Sequence, residues 1–311
     1  MMQSAGRKFL YGDAALAKIP SPRLEIKRVP CLKDNYGWIL RCPKTGTIGL
    51  VDTPEAGPLL RELKANYDGR VDFILNTHHH WDHTGGNKEI KAATHCKIIG
   101  PGRDGQIDGL DKAIEGGDEF KFGDLTVKVY DLPGHTRGHV GYHFPEANAF
   151  FCGDTLFVLG CGRMFEGTKG QFWSTLQKIR GLPKDTVVFC AHEYSQSNAK
   201  FARYVDPTNE CLKTASDVIT EMRGRGEATV PSMLADELLC NPFLRVDDEA
   251  IQERAAELTN TQAHDLNRRP RKGMEPAKYA IPDAEPRVRQ KPKPRGDGTR
   301  LENPRLIKGA D

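Results

Sequence analysis

An apolar run, VDFIL, leads at residue 77 into THHHWDHTGG. Four of the chain's ten histidines and one aspartate therefore leave the end of a segment that reads as a buried strand. A strand that ends in this way confines the chain to an α/β arrangement in which strand ends meet along one edge and carry a site.

The surrounding pattern agrees. LEIKRV (24–29) alternates as a strand, and YGWIL (36–40) and TIGLVD (47–52) are short apolar strands across a PKTG turn. EAGPLLRELKANY (55–67) has helical apolar spacing, VDFILNT (71–77) is a strand, NKEIKAAT a helix and KIIG (97–100) a strand. A second half repeats the theme. LTVKVYDLPGH (125–135) ends in a histidine, HVGYHF (139–144) follows, and NAFFCGDT (148–155) ends near an aspartate. QFWSTLQKIRGL (171–182) is helical and DTVVFCAHEY (185–194) is a strand ending in a histidine. From Ser195 onward SQSNAKFARYV, TNECLKTASDVITEMRGRG and SMLADELLC read as helices.

The opening motif has the form H-x-H-x-D-H: His78, His80, Asp82 and His83. Alternate residues leaving a strand point the same way, so His78 and His80 reach one metal. Asp82 and His83 are adjacent, diverge from that pair and serve a second metal nearby. Imidazole and carboxylate suit zinc, with iron or manganese as alternatives. His135, Asp154 and His192, at the ends of the later strands, are the natural further donors. The expected division is His78, His80 and His135 for one ion and Asp82, His83 and His192 for the other. Asp154, with two oxygens, bridges both. His79 is the bystander, and His139 a supporting residue. Gly85 and Gly86 are expected to permit a tight turn into the next helix.

Composition sets the boundaries. Residues 1–23 form an N-terminal extension, 24–194 the catalytic domain, 195–265 a helical region and 266–311 a basic, proline-rich tail. From Arg268 to Asp311 there are 13 Lys and Arg, 6 Asp and Glu and 7 prolines. Such a segment buries too little apolar surface to offset its ordering entropy and is expected to be disordered. The tail carries +7 of a net charge of +3, so residues 1–267 are acidic at −4 and nucleic acid is not an expected partner. No run of 18 apolar residues is present to span a membrane. Eight cysteines lie mostly in apolar runs without a C-x-x-C pair, as in a reduced intracellular protein. A cytoplasmic monomer is expected. The alternative, a mitochondrial location, would need more Arg and Ser in the extension, which is read as short and disordered.

THHHWDHTGG with PGHTRGH, CGDT and AHEY resembles the metallo-β-lactamase superfamily. The resemblance implies a four-layer αββα sandwich with a binuclear metal site at one edge, followed here by a smaller helical region. PCLKDNYGWIL, GCGRMFEGT (160–168), AHEYSQSNAKFA (191–202) and NPFLRV (241–246) narrow the resemblance to the glyoxalase II, or hydroxyacylglutathione hydrolase, family. That implies hydrolysis of S-D-lactoylglutathione to D-lactate and glutathione. A metal pair lowers the pKa of bound water to about 7, so that a bridging hydroxide attacks the thioester carbonyl. Asp82 and Asp154 are the expected catalytic carboxylates, Asp82 also orienting the hydroxide. By resemblance, Arg163, Phe165, Tyr194 and Arg245 contact the glutathione moiety, whose carboxylates call for basic residues.

Two departures stand out. Family members often carry Tyr at the position of Phe165. They also often place a Lys just after the arginine of NPF-x-R-V, where this chain has Asp247, Asp248 and Glu249. Both imply weaker hold on glutathione. Three rival readings remain at this point: a persulfide dioxygenase-like enzyme with a single iron, which would not need His192; a nucleic-acid-processing hydrolase of the same fold, suggested by the basic tail but set against the acidic residues 1–267; and a non-catalytic metal-binding protein.

Overall fold

The computed structural model describes residues 8–20, 23–103 and 105–266, with side chains through Thr259. Two six-stranded sheets dominate it. The first runs β1 (Glu25–Cys31), β2 (Asn35–Arg41), β3 (Ile48–Val51), β4 (Phe73–Leu75), β5 (Lys97–Pro101) and β6 (Lys112–Ile114). β1 to β3 are antiparallel, and β3 to β6 are parallel. The second sheet contains β7 (Glu119–Phe122), β8 (Leu125–Asp131), β9 (Val140–Phe144) and β10 (Ala149–Gly153). Between β10 and its next partner, a hairpin of β11 (Leu156–Phe157) and β12 (Gly160–Cys161) stands apart. β13 (Val187–Cys190) then pairs parallel with β10, and β14 (Ser232–Met233) closes the edge.

The layers follow from which residues share a strand face. On the first sheet Trp38, Leu40, Val51, Leu75 and Ile99 join Val127, Val129, Tyr142 and Phe151 of the second in one core. Trp38 meets Phe189 edge-on, with ring centroids 5.0 Å apart, which locks the two sheets face to face. The alternate residues Ile39, Leu50, Ile74 and Ile98 face outward and form a second core with Leu59, Leu63 and Ile90. Those three come from the helices that cover this face, and Leu176 and Ile179 bring another helix into the central core. Burial on both faces explains why these strands read as continuous apolar runs. The arrangement is the expected αββα sandwich.

Helices in chain order are α1 (Asp13–Leu16), α2 (Ala56–Asn66), α3 (Trp81–Thr84), α4 (Asn87–Thr94) and α5 (Lys169–Arg180). They continue with α6 (Ser195–Val205), α7 (Glu210–Gly224), α8 (Leu234–Cys240) and α9 (Glu249–Leu266). α5 begins in a capping box, in which Thr168 accepts from the Gln171 N–H and Gln171 accepts from the Thr168 N–H. The short strands β6, β7 and β14 and the hairpin have no counterpart in the sequence reading, whereas α9 falls within the helical region expected over 195–265. No helix among the described residues is long and apolar enough to cross a membrane.

Two expectations about domain organisation need adjustment. The described residues up to Gln262 belong to one compact unit. Ala199, Leu212, Ile219, Leu234 and Leu244 of the helical region share the central core with the sheets. Residue 195 therefore marks a change from sheet to helix, not a break in packing. The second correction concerns the N-terminal extension, expected to be disordered. Residues 1–7 lie outside the described residues, but Phe9, Tyr11 and Ala15 are buried in the central core. The Gly12 N–H donates to the Pro231 carbonyl at 2.8 Å, and Tyr11 forms an antiparallel bridge to Ser232 of β14. Gly12 has φ +58° and a Cβ there would lie 2.1 Å from the Ala228 carbonyl oxygen, so only glycine fits. Alternation in FLY was too short to read as a strand, and the partner that makes it one lies more than two hundred residues away. The basic tail, residues 267–311, lies outside the described residues.

Tyr11→Ala is expected to cost about 3 kcal/mol of stability, the usual loss for truncating a buried aromatic ring. Urea unfolding checks this. An unchanged midpoint would mean that the segment is an appendage after all.

Candidate metal centre

β3 and β4 run parallel and end side by side, so Asp52 and the Thr77–His80 turn emerge at the same sheet edge. His78 and His80 leave β4, and α3 begins at once, carrying Asp82 and His83. From the second sheet β8 leads to His135, β10 to Asp154 and β13 to His192. The seven candidate donors converge as two groups. The donor atoms of His78, His80 and His135 lie within 4.8 Å of one another, as do those of Asp82, His83 and His192. In the first group His80 presents Nδ1, 3.1 Å from His78 Nε2 and 3.0 Å from His135 Nε2. In the second, Asp82 Oδ2 is 3.6 Å from His83 Nε2 and 3.4 Å from His192 Nε2.

Asp154 stands between them. Its Oδ2 is 3.5 Å from His135 Nε2, while Oδ1 is 3.4 Å from His83 Nε2 and 3.3 Å from His192 Nε2. One carboxylate thus turns one oxygen to each group. His83 Nε2 and Asp154 Oδ1 are buried without a hydrogen-bond partner. Buried polar atoms rarely go unsatisfied, and atoms of these types at this spacing are what a divalent cation requires. The donor set fits a binuclear metal site.

The electrostatics point the same way. Burial holds His78 well below the ordinary imidazole range, and brings His80 down to about 4. Burial also lowers His135. All three are neutral at pH 7, the form that donates a lone pair. Burial would lower His83 and His192 too, but the Asp154 carboxylate overturns it in both and raises them. Burial pushes Asp154 up, yet His83 and His192 hold it well below the usual carboxylate range. The second group is a well of negative potential that attracts positive charge, whether protons or cations.

In four of the five rings the nitrogen that faces away from the site is held from behind. His78 Nδ1 is 3.0 Å from Thr77 Oγ1, and His83 Nδ1 is 2.8 Å from Asp52 Oδ2. His135 Nδ1–H donates to the Arg163 carbonyl at 2.7 Å, and His192 Nδ1 is 3.1 Å from Asp34 Oδ1. Asn35 donates to Asp82 Oδ2 at 3.1 Å. Asp52, His78 and His83 also form a close group. Asp52 is nevertheless already engaged, accepting from the Thr77 N–H and Oγ1–H as well as facing His83. It orients a donor and is not a free one. Its φ of +54° is one that aspartate tolerates better than most residues. The sequence reading missed Asp34, Asn35 and Asp52. The signal for Asp52 was there, an acid closing the strand TIGLVD.

His79 points away, its Nε2 4.0 Å from Glu166. His139 stacks on His78 at 4.7 Å and accepts the Asp154 N–H at 3.1 Å. Gly85 and Gly86 need correction. Their φ values, −58° and −84°, suit any residue. What demands glycine is space: a Cβ would come within 2.8 Å of the Pro54 carbonyl at Gly85 and 2.9 Å of the Ala56 nitrogen at Gly86.

Of the residues expected to hold substrate, three lie at the centre. The Phe165 ring, 57% exposed, sits 5.2 Å from His135 and 5.8 Å from His80. The Arg163 guanidinium lies over that ring at 5.7 Å. Tyr194 stacks on His192 at 4.6 Å, and burial raises its phenol well above the usual range. Arg245 is different. It pairs with Asp206 at 2.5 Å and Asp248 at 2.7 Å and contacts none of the seven donors. A groove of about 730 Å³ between the N-terminal segment, the β1–β2 turn and α7 has Asp34 and Asn35 in its wall.

Residues 38–192 match the Metallo-beta-lactamase superfamily, and residues 193–272 match the Hydroxyacylglutathione hydrolase C-terminus. The hydroxyacylglutathione hydrolase of Methylococcus capsulatus is 48% identical over 74% of this chain and 90% of its own length. That of Rhodospirillum rubrum is 47% identical, with the same coverage. The chain belongs to the hydroxyacylglutathione hydrolase family. Among solved structures, the BLEG-1 B3 metallo-beta-lactamase superposes with a TM-score of 0.55 at 19% identity, covering 71% of this chain and 99% of that one. ETHE1 from Myxococcus xanthus gives 0.54 at 22% identity, covering 70% and 83%. These two likenesses speak for the fold alone.

Family membership directs attention to the groups that orient the donors. Asp52→Asn preserves shape but removes the charge beside His83. It is expected to weaken metal binding about 10- to 100-fold, the usual effect of losing such a partner. Competition with a chromophoric chelator measures this, and unchanged affinity would remove Asp52 from the centre's support.

Proposed function

We propose that this chain hydrolyses S-D-lactoylglutathione to D-lactate and glutathione at a centre of two divalent ions. The carrying observation is Asp154, one buried carboxylate facing two imidazole-rich donor groups, in a chain of the hydroxyacylglutathione hydrolase family. His78, His80, His135 and Asp154 would hold one ion; Asp82, His83, His192 and Asp154 the other. Zinc is our reading, with iron or manganese as alternatives. Such ions supply Lewis acidity and a bound water of pKa about 7.

The chain's own groups do the rest. Asp82, fixed by Asn35 and partly open to solvent, orients the reacting water. Asp154 sets the spacing and charge of the two halves. No protein acid is needed for departure, because a thiolate leaves readily, and no Ser or Cys nucleophile is required. Arg163 and the protonated Tyr194 offer donors to the glutathione moiety, and Phe165 a ring face in place of a hydroxyl. Arg245 enters with its charge shared between Asp206 and Asp248, consistent with a weak hold on the glycine carboxylate. All eight cysteines are free, which supports a reducing, cytoplasmic setting. A monomer is the proposed state.

The single-iron reading is less supported, because His192 faces both Asp82 and Asp154 rather than standing apart. Thioester hydrolysis and metal content are to be measured on one sample. Two ions per chain and turnover without oxygen are expected. One iron with oxygen uptake would install the dioxygenase reading, and a metal-loaded protein inert to every acyl-glutathione would install the non-catalytic one. His80→Ala and Asp154→Ala are expected to lose both metal and activity. Arg245→Ala is expected to raise KM about tenfold, the worth of one charge-assisted hydrogen bond, with metal content unchanged. An unchanged KM would limit Arg245 to its structural ion pairs.

A further inference from the structure

The hairpin β11–β12 belongs to neither large sheet. It is also the path by which the chain travels from Asp154 to Arg163, whose carbonyl holds His135. Its base is closed tightly. The Gly162 N–H donates to the Thr155 carbonyl at 3.3 Å. A Cβ on Gly162 would lie 1.7 Å from the Asp154 carbonyl oxygen and 3.2 Å from His135 Nδ1. A displacement of the hairpin therefore passes directly to the Arg163 carbonyl. Asp154 is anchored separately, through its N–H to His139.

A two-stranded hairpin of this length has little stability of its own, and Leu159 at its tip takes the left-handed φ of +54°. What holds it is a set of side chains from the helical region. Glu237 Oε2 accepts from the Leu159 N–H at 2.9 Å and from Asn241 Nδ2 at 3.0 Å. Asn241 Nδ2 also reaches the Gly160 carbonyl at 2.9 Å and the Phe157 carbonyl at 3.2 Å. Asn198 Nδ2 donates to the Val158 carbonyl at 3.0 Å. Leu159, Glu237 and Asn241 are fully buried, so water is not available to replace these bonds.

We propose that Glu237 is a positioning residue for the metal centre, acting from the helical region through the hairpin and the Arg163 carbonyl on His135. The proposal rests on the two-metal reading above. It assigns the helical region a second task beside any contact with substrate, that of setting the outer support of one ion. Burial at this position is costly to a carboxylate and brings Glu237 up to about 7, against the hydrogen bonds from Asn241 and Leu159. A buried acid retained at that cost is consistent with a geometric task, since an apolar side chain would leave the Leu159 N–H without an acceptor.

The test is metal affinity of the full chain, by chelator competition, for Glu237→Ala, Glu237→Gln and Asn198→Ala. In Glu237→Ala one ion is expected to bind about 10- to 100-fold more weakly while the other is unaffected. Glu237→Gln, which keeps an acceptor oxygen, is expected to restore most of the loss. Circular dichroism monitors folding. Should Glu237→Ala not fold, Asn198→Ala removes only the bond to Val158 at a half-buried site, and a smaller loss at the same ion is expected. Parental affinity for both ions in a folded Glu237→Ala or Asn198→Ala protein would overturn the proposal, as would equal weakening of both ions. A parent chain that binds fewer than two ions would instead overturn the two-metal reading.

Discussion

The structure turns on the placement of one carboxylate. Asp154 is buried at the junction of two imidazole groups, with an oxygen toward each. A buried charge persists only where opposite charge compensates it. That requirement organises what surrounds it. His139 takes the Asp154 N–H, His83 and His192 lie against one oxygen, and Asp52 and Asp34 hold those two rings from behind. Acid and imidazole alternate outward from the centre, so that each member fixes the tautomer and angle of the next.

That arrangement needs two sheets whose ends meet. The apolar faces of the first and second sheets share one core, with Trp38, Phe151 and Phe189 at the contact. Pressing those faces together brings β3 and β4 beside β10 and β13, and the donors at their ends into one pocket. The helical region is not a passive addition. Its side chains fill the central core, tie down the hairpin between Asp154 and Arg163, and pair with the N-terminal segment through Asp236, which accepts the Leu10 N–H.

Much of this was legible locally. Strong periodicity marked the long elements: β1, β2, α2, α5, α6 and α7 lie where apolar spacing put them, because each has an extended face to bury. Elements of two to four residues, such as β6, β14 and the hairpin, carry no period of their own and exist because a neighbour supplies hydrogen bonds. Residues 8–16 went unread for the same reason, since Tyr11 is a strand residue only when Ser232 is beside it. At the site, histidines at strand ends were conspicuous, whereas Asp34 and Asn35 looked like an ordinary loop acid and amide, and Asp52 showed only as an acid closing a strand. Only proximity to a ring nitrogen distinguishes them.

By itself the sequence determined the chemistry available: five imidazoles and two carboxylates at the ends of apolar strands, a set suited to divalent metal, and a family resemblance carried by short motifs. Local order along a chain dictates which residue types leave a strand together, since side-chain direction alternates over one or two residues. Tertiary structure decided the rest. It chose Nδ1 of His80 but Nε2 of the other rings, gave Asp154 one oxygen for each group, and committed Arg245 to Asp206 and Asp248. These outcomes depend on distances between segments far apart in the chain, and those distances are set by how two apolar faces pack.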